Sequence, residues 1–136
     1  MSTVKAANLQ NTGSGAPAFK NSSGTEIGQL VKAWVNFNGA GTVAINDSFN
    51  VASLTDNGTG DYTVTFTNAM ANANYCVATS SPVTSDQGSA YSFGLRFTGN
   101  PDTGSPTTKT TAAIRLMNRR GADVDIANAN VVVFGD

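Results

Sequence analysis

From Val31 onward, apolar and polar residues alternate over short runs, and clusters of Gly, Asn, Asp and Ser break the alternation. A strand points successive side chains to opposite faces, so a period of two predicts half-buried β-strands. In VKAWVNFN (31–38), Val31, Ala33, Val35 and Phe37 share one face, with Lys32, Trp34, Asn36 and Asn38 on the other. Asn38-Gly39-Ala40-Gly41 then reads as a turn, because Asn and Gly tolerate positive φ. Val43 and Ile45 are expected to point inward on the next strand, followed by Phe49 and Val51 after the polar break at Asn46-Asp47-Ser48. Asp56–Asp61 reads as a hairpin connection into Tyr62, Val64 and Phe66, whose opposite face carries Thr63, Thr65 and Thr67. β-branched Thr suits the solvent side of a pleated surface.

Further strands are expected over Tyr75–Thr79, Tyr91–Phe97, Ala113–Met117, Val124–Ile126 and Val131–Phe134, with turn-rich breaks at Ser80–Ser89, Gly99–Thr108 and Asn118–Gly121. No stretch sustains a 3.6-residue period, although Asn68–Asn74 (NAMANAN) could form one helical turn. About eight short strands at roughly ten-residue spacing predict an all-β fold, a small antiparallel β-sandwich of jelly-roll-like type. A β-rich appendage with strands shared between chains fits the same pattern.

Residues 1–30 break from it. Val4, Leu9, Phe19, Ile27 and Leu30 are their only sizeable apolar side chains, too few for a core. The expectation is an extended N-terminal arm over 1–30, with a turn at Asn21–Gly24, followed by a β domain over 31–136. The anchors Val4, Leu9, Phe19 and Ile27 would pack the arm on its own domain or dock it on a neighbour. Trp34, opposite the Val31/Val35 face, needs either a strand covered on both sides or burial by the arm or by another subunit. A large aromatic with an N–H suits a subunit interface.

Composition narrows the chemistry. Only 12% of the 136 residues are charged and the formal net charge is −1, which gives no basic footprint for nucleic acid. With no histidine, Ser-His and Cys-His nucleophile pairs and the common zinc sites are absent. Cys76 is the single cysteine. It excludes an intrachain disulfide, and its run NYCVAT predicts a small buried hydrophobe. The start MSTVKAANLQNTGSG has no apolar h-region, and no run approaches a membrane span, so neither export by a signal peptide nor membrane insertion is expected.

The carboxylates offer little. Asp56–Asp61 lacks the alternating ligands and terminal Glu of a Ca²⁺ loop and reads as a plain turn. Asp123 and Asp125 share one strand face and are expected in solvent while Val124 and Ile126 point inward. The Gly-x-Gly pairs have no following helix to cradle a phosphate. No catalytic residue, cofactor or metal is therefore expected. A glycan-degrading activity would need two carboxylates facing across a cleft, and no convincing pair exists.

The segment KAWVNFNGAGTVAINDSFNVASLTDNGTGDYTVTF, with NAMANANYCV after it, resembles a module of tailed-phage virion proteins, notably from phages of cyanobacteria and other marine hosts. MSTVKAANLQNTG resembles their start and VVVFGD their ending. The resemblance implies a non-enzymatic virion structural protein, made in the host cytoplasm and assembling as a homotrimer. Residues 1–30 would dock it to other virion proteins of the capsid or tail. A chain of this length leaves no room for a shaft, which points to a surface decoration or short fibre protein. The alternative is a small tail fibre recognising a host surface glycan or protein through the loops Ser80–Ser89 and Gly99–Thr108. Asp86, Tyr91, Asn100 and Asp102 are the candidate contacts there, Tyr91 being suited to stacking on sugar.

Overall fold

The computed structural model of the protein describes residues 19–81, 92–96, 109–120 and 122–135. Among these, every regular element is a strand and none is a helix. The chain divides after Leu30 into two units. In the first, β1 (Phe19–Lys20) and β2 (Glu26–Gly28) pair as an antiparallel hairpin. Asn21 organises its turn: Oδ1 accepts from Ser23 N at 3.1 Å and Thr25 N at 2.9 Å, while Gly24 takes a φ of 84° that L-residues avoid. All described residues of this unit are exposed.

The second unit is a sandwich of two antiparallel sheets. One has the order β4 (Ala44–Phe49), β3 (Val31–Asn38), β11 (Ala129–Phe134), β7 (Cys76–Ser80). The other runs β5 (Val51–Gly58), β6 (Asp61–Phe66), β9 (Ala113–Arg120), with β8 (Ser92–Leu95) and β10 (Ala122–Asp123) both paired to β9. The all-β sandwich read from the alternation is the fold observed.

Alternation delivers the core. Ala33, Val35 and Phe37 of β3 and Ala129, Val131 and Val133 of β11 face Tyr62, Val64 and Phe66 of β6 and Ile114 and Leu116 of β9, all buried. Removing each large side chain from water stabilises the fold by about 1.5–3 kcal/mol. Phe37 meets Tyr62 edge-on at 5.2 Å and Phe93 at 6.2 Å, the geometry that the ring quadrupole favours.

Tyr62 also closes one end of the sandwich. Its hydroxyl donates to Gly39 O at 2.8 Å and accepts from Ile126 N at 3.3 Å. Burial pushes the hydroxyl pKa up to about 12, so the proton stays available for donation. A Cβ on Gly39 would lie 2.6 Å from the Tyr62 ring and hydroxyl. Gly39 is therefore required for close approach, whereas positive φ in this turn belongs to Gly41, at 66°.

Asn50 alone joins β4 to β5 and carries the chain from one sheet to the other. It sits at φ 56°, in the left-handed region that Asn tolerates better than most residues. Its Nδ2 donates to Lys32 O at 3.0 Å and Asn68 O at 3.1 Å, and its Oδ1 accepts from Asn68 N at 2.7 Å.

Four details differ from the sequence reading. Asn68–Asn74 contains bends and no helical turn, because Met70 is drawn into the core with its N–H on Thr111 O at 2.8 Å. Cys76 is exposed rather than buried; Tyr75 takes the core position beside Phe66, which sets the phase of β7 one residue off. Phe49 and Ile45 are exposed, Phe49 by 54%. The pairing of β4 with β3 places Phe49 opposite the outward-facing Trp34, whereas Ile45, past a register shift, stands opposite the inward-facing Phe37 and is exposed because β4 is the edge of its sheet.

Replacing Asn50 by Ala is expected to lower unfolding free energy by about 2–3 kcal/mol, through lost hydrogen bonds and left-handed strain. Asn50→Gly should lose only about 1–2 kcal/mol, since glycine relieves the strain. Urea unfolding of both variants measures the difference; equal losses would mean that φ contributes nothing. In the same assay Gly39→Ala should cost about 1–3 kcal/mol by overpacking against Tyr62.

Candidate functional site

The two outer faces of the sandwich differ in chemistry. On the five-stranded sheet most outward positions are polar: Ser53 and Thr55 on β5 stand opposite Thr65 and Thr63 on β6, and Thr63 stands opposite Arg115 on β9, with Ala113 and Met117 the apolar outward residues of that strand. Asn57 Nδ2 donates to Thr63 Oγ1 at 2.9 Å.

An ion cluster lies at one end of this face. Asp61, buried, accepts from Arg115 through both oxygens, Nε at 2.8 Å and Nη2 at 2.7 Å, and Arg96 Nη1 lies 3.1 Å from its Oδ2. Asp123 extends the cluster to Arg96 at 3.5 Å and Arg119 at 4.0 Å. The Arg115 hydrogen bonds, joined by the Arg115 and Arg96 charges, outweigh burial and hold the Asp61 carboxyl below its ordinary value. These groups satisfy one another at strand ends.

Asp125 does something different from Asp123. β10 ends at Asp123, and the chain then turns so that Asp125 Oδ1 accepts from Gly60 N at 2.8 Å and lies 3.3 Å from the Tyr62 hydroxyl. The expected shared strand face of the two carboxylates is thus not formed: Asp123 holds arginines and Asp125 closes a turn. Among the described residues, no group of three His, Cys, Asp or Glu is placed to hold a metal ion.

The outer face of the four-stranded sheet is largely uncharged. Phe49, Trp34, Val132 and Ala78 stand in register across all four strands, one per strand. Phe134 and Cys76 pair in a neighbouring row. Phe49 is 54% exposed and Phe134 39%, while Trp34 and Val132 are half-buried. All exposed large hydrophobics of the sandwich among the described residues lie on this sheet, namely Val31, Ile45, Phe49 and Phe134.

Two residues along β3, the apolar row gives way to amides. Asn36 stands opposite Asp47 on one side and Asn130 on the other, with Ser80 beyond. Asn36 Nδ2 donates to Asn130 Oδ1 at 2.7 Å and Asn128 Oδ1 at 2.8 Å, and its Oδ1 accepts from Asn46 Nδ2 at 2.7 Å. The network fixes which way each of four amides points. Lys32 and Asp47 are the charged residues at outward positions on these strands.

Of the sequence-derived candidates, Trp34 falls at the centre of this face. Phe19 and Ile27 are exposed on the β1–β2 hairpin, by 41% and 66%. Val4, Leu9, Asp86, Tyr91, Asn100 and Asp102 lie outside the described residues. The sequence reading missed Phe49 and Val132 as partners of Trp34, and Phe134 in the neighbouring row. The run VVVF carried the available signal, since consecutive apolar residues make both faces of a strand apolar. Nothing in the sequence announces amides that meet from 92 and 94 positions apart.

No protein-family model, curated protein or solved structure matches the chain.

The Asp61 cluster gives the fold a pH dependence of definite sign. A carboxyl with a lowered folded-state pKa stabilises the protein above the ordinary carboxylate range, and that contribution is lost as pH falls through the folded value. Stability should therefore decline on acidification below about pH 4. Asp61→Asn should remove about 2 kcal/mol at neutral pH, less than a fully buried pair because both arginines are partly solvated. It should also flatten the acid decline in thermal melts at stepped pH; identical acid slopes in both proteins would show that the pairing adds no net stability.

Proposed function

We propose that this chain is a non-enzymatic structural protein of a tailed-phage virion, a surface decoration or short fibre subunit. The reading joins two lines of support. The AWVNFNG and DNGTGDYTV segments resemble a virion module, and the sandwich presents one neutral, aromatic-bearing outer face beside one polar, ion-paired face. The single observation that carries a contact role is this asymmetry. A solvated domain has no need to align Phe49, Trp34, Val132 and Ala78 across an outer surface, and such patches mark places where another molecule sits.

In this reading residues 1–30 dock the chain to the capsid or tail, and the chain assembles as a homotrimer. Both points rest on the resemblance. The exposed Phe19 and Ile27 agree with a segment that has no core of its own. A two-stranded hairpin is marginal in water without a surface to pack on.

A second reading, a small tail fibre that recognises a host glycan or protein, draws on the Trp34–Phe49 pair and the locked amides beside it. Location separates the two. Immunogold electron microscopy of purified virions, with antibody to residues 31–136, is expected to label the particle. Gold over the head supports the decoration role, and gold at the tail supports the fibre role. Unlabelled particles alongside a positive infected-cell lysate would overturn the virion assignment. Light scattering of the purified chain should give the mass of three chains, and a monomer would remove the trimer.

A further inference from the structure

We infer that the outer face of the four-stranded sheet is a binding platform for a neutral carbohydrate chain, with Trp34 and Phe49 as the stacking floor and the Asn36–Asn46–Asn128–Asn130 network as the hydrogen-bonding edge. This deepens the contact role proposed above and rests on it, naming the chemistry of what the face contacts.

The geometry supplies what a sugar requires. A pyranose ring has apolar C–H faces and a rim of hydroxyls, so it is held by an aromatic surface on one side and directional polar groups at its edge. Trp34 and Phe49 stand directly opposite each other on adjacent strands, giving two aromatic groups side by side on one exposed surface. The amide row begins two residues further along β3, about 6.7 Å away at ordinary strand rise. That spacing lets one ring cover the aromatic row while its hydroxyls meet the amides.

The amides are also pre-set. Asn36 donates to the oxygens of Asn128 and Asn130 and accepts one amide hydrogen of Asn46. The nitrogens of Asn128 and Asn130 and the oxygen of Asn46 are left without a partner among the described residues, as is the Trp34 indole N–H. Donors and an acceptor therefore stand in fixed orientation along one edge. Hydroxyls both donate and accept, so one kind of ligand group can satisfy all of them. Fixed side chains lower the ordering cost of binding.

Charge selects among polymers. The outward positions of this sheet carry one cation and one anion, Lys32 and Asp47, which cancel, while Arg96, Arg115 and Arg119 all belong to the other sheet's cluster. A surface of this kind has no attraction for a polyanion and no desolvation conflict with an uncharged chain. The match is to a neutral polysaccharide.

Trp34 is the sole tryptophan of the chain, so emission excited selectively at tryptophan reports on the platform alone. The full chain would be titrated with dextran, galactomannan and mixed-linkage β-glucan, with alginate as the polyanion, and run in native gels cast with each polymer. At least one neutral polymer is expected to shift Trp34 emission saturably and to retard the protein, with alginate inert. Phe49→Ser and Asn128→Ala, both at exposed positions, should each weaken binding at least tenfold while leaving the far-UV circular dichroism unchanged. Trp34→Phe should retain part of the retardation, since a ring remains. No response to any neutral polymer, an equal response to alginate, or binding untouched by both exposed-site variants would each overturn the platform. If the neutral polymers are inert and light scattering shows an assembly that Phe49→Ser dissociates, the face is a subunit contact. The structural role then stands and the carbohydrate inference falls.

Discussion

The sandwich depends on the seat of one side chain. Tyr62 lies at the meeting of the two sheets, its ring against Phe37 and its hydroxyl tied to Gly39 O and Ile126 N. A buried hydroxyl must be hydrogen-bonded or it costs more than its ring gains, so the turn after β3 and the segment after β10 have to converge on it. Gly39 makes the approach possible, because a Cβ there would collide with the ring. Asp125, which reaches both Gly60 N and the Tyr62 hydroxyl, ties the β5–β6 turn into the same knot. With that end closed, the inward residues of β3, β6, β9 and β11 interdigitate without further polar groups apart from Asn118.

Closure of the core leaves two outer faces, and they have been settled in opposite ways. The five-stranded face neutralises its charges internally through Asp61, Asp123 and their arginines. A surface whose ionic groups already hold one another gains little from a partner. The four-stranded face keeps aromatic groups in water and spends its amides on holding one another in position. Apolar surface in water is unfavourable in proportion to its area, so its persistence in register across four strands is the feature most in need of a function. This contrast, rather than any cleft or cluster of titratable groups, is what makes the face the functional candidate.

Much of the fold could be read directly along the chain. Strands 31–38 and 61–66 follow from strict alternation, and they bury the residues that the pattern put inward except Val31, which is exposed at the bulge where β3 pairs with Phe134. The reading failed where neighbours override local pattern. Cys76 took the wrong phase because the large Tyr75 claimed the core. Phe49 reads as a core residue, yet its register with β3 places it beside Trp34 on the outside. Gly39 was legible as a turn residue but not as the space that Tyr62 needs.

What the sequence by itself determined is the class of structure: all-β, sandwiched, with a sparse leading segment and no histidine-based chemistry. Those properties are local, since alternation, turn residues and composition act within a few positions of one another. Only the tertiary structure decided that Trp34 has Phe49 and Val132 for neighbours, that four asparagines form one network, and that Asp61 is matched by Arg115. The physical reason is pairing register. A strand's side chains are assigned to faces by its own period, but which residues meet on a face is set by partners from the far end of the chain, as when Trp34 meets Val132.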